Sequence, residues 1–183
     1  MESLMELHLF GASTPTGEAF RQRVERIEPS VPLYSYSRRS ADHPADFLHP
    51  AQFIPAGEPG GELIWISFGP LWLLAPFIKK LARDHPDRLV GLRGLIACSS
   101  SSVLTKRFAV NSFDRELVAK LRETEKQLLD TCHHLHVPCC ILQPTLIYGK
   151  VGAYSDTNLS RLLQVLKTLP LLPLPAQTGL RQP

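Results

Sequence analysis

The residues of this chain whose types and spacing can do chemistry begin at Gly11-Ala12-Ser13-Thr14-Pro15-Thr16-Gly17. Ahead of them Met5 to Phe10 (MELHLF) alternates as a strand does. Behind them Thr16 to Ile27 sets Ala19, Phe20, Val24 and Ile27 at helical spacing. A strand that enters a helix through a glycine turn aims backbone N–H groups at the helix N-terminus, where a pyrophosphate is favoured. Gly11 permits the tight turn and Gly17 lets helix and strand pack closely, while Ser13, Thr14 and Thr16 add hydroxyl groups. Thr14 stands where a full dinucleotide fingerprint has its middle glycine, and Pro15 completes the turn.

A second strand, Val31 to Ser37, ends at Arg38-Arg39. An acid that holds the ribose of NAD is expected about 20 residues past the glycines. No Asp or Glu lies between Pro32 and Ala41, and the place is taken by the two arginines. A guanidinium fork matches a 2′-phosphate, so the expected cofactor is NADP in preference to NAD. Further along, Ser99 to Ser102 follow an apolar run, and Pro144-Thr145-Leu146-Ile147-Tyr148-Gly149 follows another.

The elements that must position these groups alternate strand and helix. Leu63 to Phe68 and Leu89 to Cys98 are continuous apolar runs, as in strands buried on both faces. Leu71 to Arg83 reads as a helix with Pro76 in its first turn. Asp114 to Leu135 is the strongest helix, with Leu117, Leu121, Thr124, Leu128, Cys132 and Leu135 on one stripe. Pro138 to Leu142 is a further strand and Asn158 to Leu169 a last helix, while Asp46 to Leu48 is a short extended candidate in a Pro-rich stretch. Such alternation predicts an α/β fold with a doubly wound parallel sheet and helices on both faces.

Composition narrows the function classes. Of 183 residues 44% are apolar and 20% charged, and the formal net charge is +3. That is an ordinary globular balance without the basic stripe a nucleic-acid binder needs. The longest apolar stretch, Leu63 to Ile78, is interrupted by Gly69, Pro70 and Pro76, and Glu2 and Glu6 stand where a signal peptide carries positive charge. No membrane and a cytoplasmic setting are therefore expected, with Cys98, Cys132, Cys139 and Cys140 as reduced thiols. The Cys132 to Cys140 segment has residue types that suit zinc, but its spacing fits no common structural module. Trp65 and Trp72 read as packing residues, and Cys98 as an inert thiol at a strand end.

Taken in order, GASTPTG, SRR, the serine run and ILQPTLIYG resemble the extended short-chain dehydrogenase/reductases, and within them the NAD-dependent epimerase/dehydratase group and its atypical members. The resemblance spans about residues 5 to 175. It implies a Rossmann-type sheet over residues 1–150 that binds NAD(P), with 151–183 beginning an incomplete substrate-binding region. Phe68 and Gly69 would line the ribose-nicotinamide side, Ser99 and Ser100 would lie near the nicotinamide, and Gln143, Pro144, Thr145 and Leu146 would close over it. Asp46 matches an acid that meets the adenine.

The family's general base is the tyrosine of a Tyr-x-x-x-Lys pair on the helix after the serine strand, its pKa lowered by the lysine. Here that helix holds no tyrosine. Alignment on its stripe puts Leu117 and Leu121 at the pair, and a one-residue slip puts Glu116 and Lys120 there. Ser100, with Ser102 as the alternative, is left as the catalytic match. The resemblance thus implies either an oxidoreductase or epimerase acting on a nucleotide sugar or related carbonyl compound, or a non-catalytic NADP-binding module. A homodimer is implied by the same analogy.

Overall fold

The structure is a computed structural model that describes residues 5–38, 42–57, 60–145, 147–156 and 159–169. Its centre is a six-stranded, wholly parallel sheet. In chain order the strands are β1 (Met5–Phe10), β2 (Leu33–Ser37), β3 (His43–Pro44), β4 (Glu62–Ser67), β5 (Leu92–Cys98) and β6 (Cys139–Leu142). In space the order is β3-β2-β1-β4-β5-β6. The chain therefore winds outward from β1 in one direction, returns, and winds outward from β4 in the other. The reversal between β1 and β4 is the switch point at which sheets of this class bind ligands, outside the carboxyl ends of the strands. This is the expected α/β, Rossmann-like architecture.

Helix α1 (Pro15–Ile27) covers one face, where Leu9, Ala12 and Ile66 are buried with Phe20, Leu33, Ile64 and Ile96 packed around them. The other face holds the larger core. It carries α2 (Leu71–Asp84), the short α3 (Ser102–Thr105) and α4 (Ser112–His134) over Phe10, Tyr36, Trp65, Leu95 and Ala97. A small antiparallel hairpin, β7 (Lys150–Val151) with β8 (Tyr154–Ser155), and helix α5 (Leu159–Thr168) follow. Among the described residues no helix is long and apolar enough to cross a membrane.

Several local expectations are corrected. The short third strand is His43–Pro44, and Asp46 lies in the turn after it, where its carboxylate accepts the Leu48 N–H at 3.0 Å. An Asp that caps its own turn competes with a strand ladder. Pro76 sits mid-helix in α2, beyond the first turn. Its neighbours Ala75, Phe77 and Ile78 are fully buried, and that packing offsets the lost backbone bond. β5 begins only at Leu92, because Pro86–Leu89 form a 3₁₀ turn and Gly91 adopts φ 84°. On α4 the buried stripe runs through Val118 while Leu117 is half-buried, and on α1 Ala19 and Ile27 are exposed, leaving Phe20 and Val24 to face the sheet.

Polar groups are built into the core of the central strand. Glu6 and His8 of β1 are essentially inaccessible and lie on the same face as Phe10. His8 Nδ1 is 3.0 Å from the Tyr36 hydroxyl, whose oxygen accepts the Ala56 N–H at 2.7 Å. The other ring nitrogen, Nε2, faces Glu6 Oε2 at 3.7 Å. Burial, and then the charge of His43, lowers the His8 pKa to about 4; burial also pushes the Tyr36 phenol up to about 12. The segment 42–57 is thus strapped over the core face through Ala56.

Candidate functional site

The turn after β1 has the geometry its residue types predict. Gly11 adopts φ 78°, and a Cβ there would stand 2.7 Å from Gly69 N. A Cβ on Gly17 would stand 2.3 Å from Gly11 O, so the first turn of α1 can lie against the loop only with glycine at that position. Thr14, in the middle-glycine place, is the N-cap of α1: its hydroxyl accepts the Gly17 N–H at 3.0 Å and donates to Gly11 O at 2.8 Å. Pro15 occupies the first helical position and brings no N–H. The N–H groups of Gly11 and Ala12 reach Tyr36 O at 3.1 and 3.3 Å, and that of Thr14 reaches Gly11 O at 3.0 Å. The amides of Ser13 and Thr16 meet no acceptor among the described residues and sit at the positive end of the helix dipole.

Two recesses flank this turn. The first, ≈ 140 Å³, is walled by Gly11, Ser13 and Thr14 on one side, Arg38 and Asp46 on another, and Phe47 and Gly69 beneath. The second, ≈ 280 Å³, is lined by Thr14, Pro15, Thr16, Phe68, Cys98 and Asp156. Thr14 borders both, so the two recesses lie on either side of the α1 N-terminus. In the first recess the Asp46 carboxyl is held below its usual range by the Leu48 N–H, by His49 and by the nearby charge of Arg38. In the second, the Asp156 carboxyl is lowered to about 2 by the N–H groups of Gly149, Ser160 and Leu159. Arg39 and Leu146, both expected at the site, lie outside the described residues.

The serine end is arranged differently. Ser99 N–H donates to Leu142 O at 2.8 Å and Ser101 N–H to Pro144 O at 2.9 Å, which joins the ends of β5 and β6. The Ser99 hydroxyl donates to Glu125 of α4, and the Gln143 amide donates to the same carboxylate oxygen at 2.9 Å. Ser100 bonds Ser102 Oγ at 3.0 Å and accepts the Ser102 N–H at 3.2 Å, which starts α3. Ser99, Ser100, Ser102, Pro144 and Thr145 line neither recess, and Thr145 is exposed. On α4, Leu121 is buried and Leu117 half-buried, while Lys120 is exposed with its ammonium 4.8 Å from the Trp72 ring centroid.

Sequence reasoning missed Glu125 and Phe47. Glu125 was hidden because it lies beside the apolar stripe of α4 among solvent-facing charges, and only the fold brings Gln143 to it. Phe47 sits in the segment read as extended, and its ring packs 5.8 Å from Phe10 and 4.9 Å from Phe77.

No family model matches the sequence, and no curated protein matches it. Among solved structures the chain is similar to SsCR_L211H, with a TM-score of 0.50 and 8% sequence identity over 80% of this chain. The chain spans 58% of the length of that protein. A likeness at that identity rests on shared architecture, and it places this chain with the Rossmann-like α/β proteins.

Proposed function

We propose that this chain binds NADP along the carboxyl rim of its sheet and serves an oxidoreductase- or epimerase-type protein of the extended short-chain class. The observation that carries the reading is the Gly11–Gly17 turn. Its Ser13 and Thr16 amides open at the helix N-terminus, and its glycines are fixed by contacts that no side chain could share. In this reading the pyrophosphate rests on Ser13, Thr14 and Thr16. The adenosine occupies the recess between Arg38, Asp46 and Phe47, with Arg38 beside the 2′-phosphate. The nicotinamide side runs past Phe68 toward Ser99, Ser100, Pro144 and Thr145. The cofactor would supply hydride transfer; the chain supplies anchorage and orientation.

A non-catalytic NADP-binding role is the second reading, and a specific observation favours it. The helix after the serine run holds no tyrosine: the stripe alignment puts Leu117 and Leu121 at the family's pair and a one-residue slip puts Glu116 and Lys120 there, so the usual base is missing on either. Ser100 spends its hydroxyl on Ser102, and a serine hydroxyl alone has too high a pKa to act as a base at neutral pH. A nucleotide sugar or related carbonyl compound remains the substrate class of the first reading, with residues 151–183 starting the region that would hold it.

Fluorescence titration tests the binding step. NADPH is expected to bind wild type more tightly than NADH does, and Arg38→Ala is expected to remove that preference. No binding of either cofactor overturns both readings. Binding without hydride exchange on any sugar nucleotide or ketone decides for the second.

A further inference from the structure

The end of α4 and the start of β6 bring two cysteines together away from the rim. Cys132 is 1% exposed, on the buried stripe of α4 one turn after Leu128. The helix ends at His134, the chain reverses through His136 at φ 55°, and Val137 N–H closes back on Cys132 O at 2.9 Å. That tight return sets Cys139, the first residue of β6, beside Cys132. Cys139 pairs with Leu95 and shares the core face with Ile141, while Cys140 alternates outward and is exposed.

Cys132 belongs to the main core cluster and Cys139 packs against that same cluster. A surface recess of ≈ 390 Å³ is lined by Leu129, Asp130, Cys132, His133, Val137 and Cys139, so both cysteines border one cavity. The pair is chemically unequal. Cys139 is half-buried and its thiol is lowered by the hydrogen bond from Cys132; Cys132 is raised by that bond and by burial. Of the two, Cys139 is thus the thiol that loses its proton more readily. Among the described residues no three His, Cys, Asp or Glu side chains gather as a metal site would require, which separates a dithiol from a zinc centre.

We propose that Cys132 and Cys139 form a reversible dithiol–disulfide site that responds to peroxide. The Cys139 thiolate attacks one oxygen of hydrogen peroxide; an S–O bond forms, the O–O bond breaks and hydroxide leaves. The Cys132 sulfur then attacks the sulfenic sulfur; the S–S bond forms, the S–O bond breaks and the second oxygen leaves as water. Two electrons pass from the sulfurs to the peroxide, and two thiols with one peroxide give one disulfide and two waters. A small external thiol reverses the step by exchange and is itself oxidised to a disulfide.

The test is differential alkylation. The folded chain is treated with hydrogen peroxide, quenched in acid, unfolded and blocked with a light alkylating reagent, then reduced and labelled with its heavy form. The tryptic fragment from Gln127 to Lys150 carries Cys132, Cys139 and Cys140 together, and fragment ions place each label. The expected result is heavy label on Cys132 and Cys139 with light label on Cys140, unchanged in Cys140→Ser and lost in Cys139→Ser. In Cys132→Ala, Cys139 is expected to accumulate as a sulfenic acid that dimedone traps. Heavy label on Cys140, or light label on all three after peroxide, overturns the proposal.

Discussion

The two ends of the carboxyl rim use their polar groups in opposite ways. At the β1–β2 end, Ser13 and Thr16 amides stay open, Arg38 is exposed, and the glycines hold the backbone back from a recess. At the β5–β6 end, the hydroxyls of Ser99 and Ser100 and the amide of Gln143 are spent on Glu125 and Ser102. One end is prepared for a visitor; the other has satisfied itself internally. Buried or half-buried polar groups that already have partners contribute structure, and it costs free energy to turn them to a substrate. The contrast is what the two proposed readings divide on.

The largest effect should come from the turn. Gly17→Val forces a branched side chain into a space where even a Cβ meets Gly11 O at 2.3 Å, so NADPH binding is expected to be lost, as calorimetry would show. Retained affinity would mean that the open amides are not the anchor.

The next effect lies beneath the same end. His8 titrates near pH 4 in the folded chain, against 6.5 for an unperturbed histidine. The unfolded chain therefore takes up the proton first as pH falls. The stabilisation is complete above about pH 6.5 and drains away down to about pH 4, by up to roughly 3 kcal/mol. Urea denaturation across that range should show the loss in wild type and a much smaller slope in His8→Asn, which cannot titrate. The groups that face His8 are Glu6, Tyr34, Tyr36, His43 and Trp65, and an equal slope in the variant would show that His8 is not the source of the loss.

Arg38→Ala should weaken NADPH by about 1.5–3 kcal/mol, the scale of a charge-assisted hydrogen bond, and leave NADH nearly unchanged. Equal losses would remove the 2′-phosphate from that corner. The smallest binding effect belongs to the serine end. Glu125→Ala strands the Ser99 hydroxyl and the Gln143 amide and should cost about 1–3 kcal/mol of unfolding free energy, with NADPH affinity within a factor of about two. A large fall in affinity would show that the two ends are not independent.

What was legible in the sequence follows the same division. The turn could be read because its residues are local: Gly11, Thr14 and Gly17 act on one another within seven positions of chain. The sheet could be read because β4 and β5 are apolar runs and α4 has a clear stripe. The partner of Ser99 could not be read, since Glu125 lies on a charged flank of a helix and no local pattern announces a contact made by tertiary packing. The third strand was misplaced for a related reason: His43–Pro44 is two residues long, and its pairing with Tyr36 and Ser37 leaves no periodicity to detect. Pro76 was misjudged because propensity rules ignore the burial that surrounds it.

The near-contact of Gly11 with the backbone at Phe68 and Gly69 has a mechanical consequence. The loops after β1 and β4 meet backbone to backbone there, and any side chain at position 11 would have to push the second loop aside.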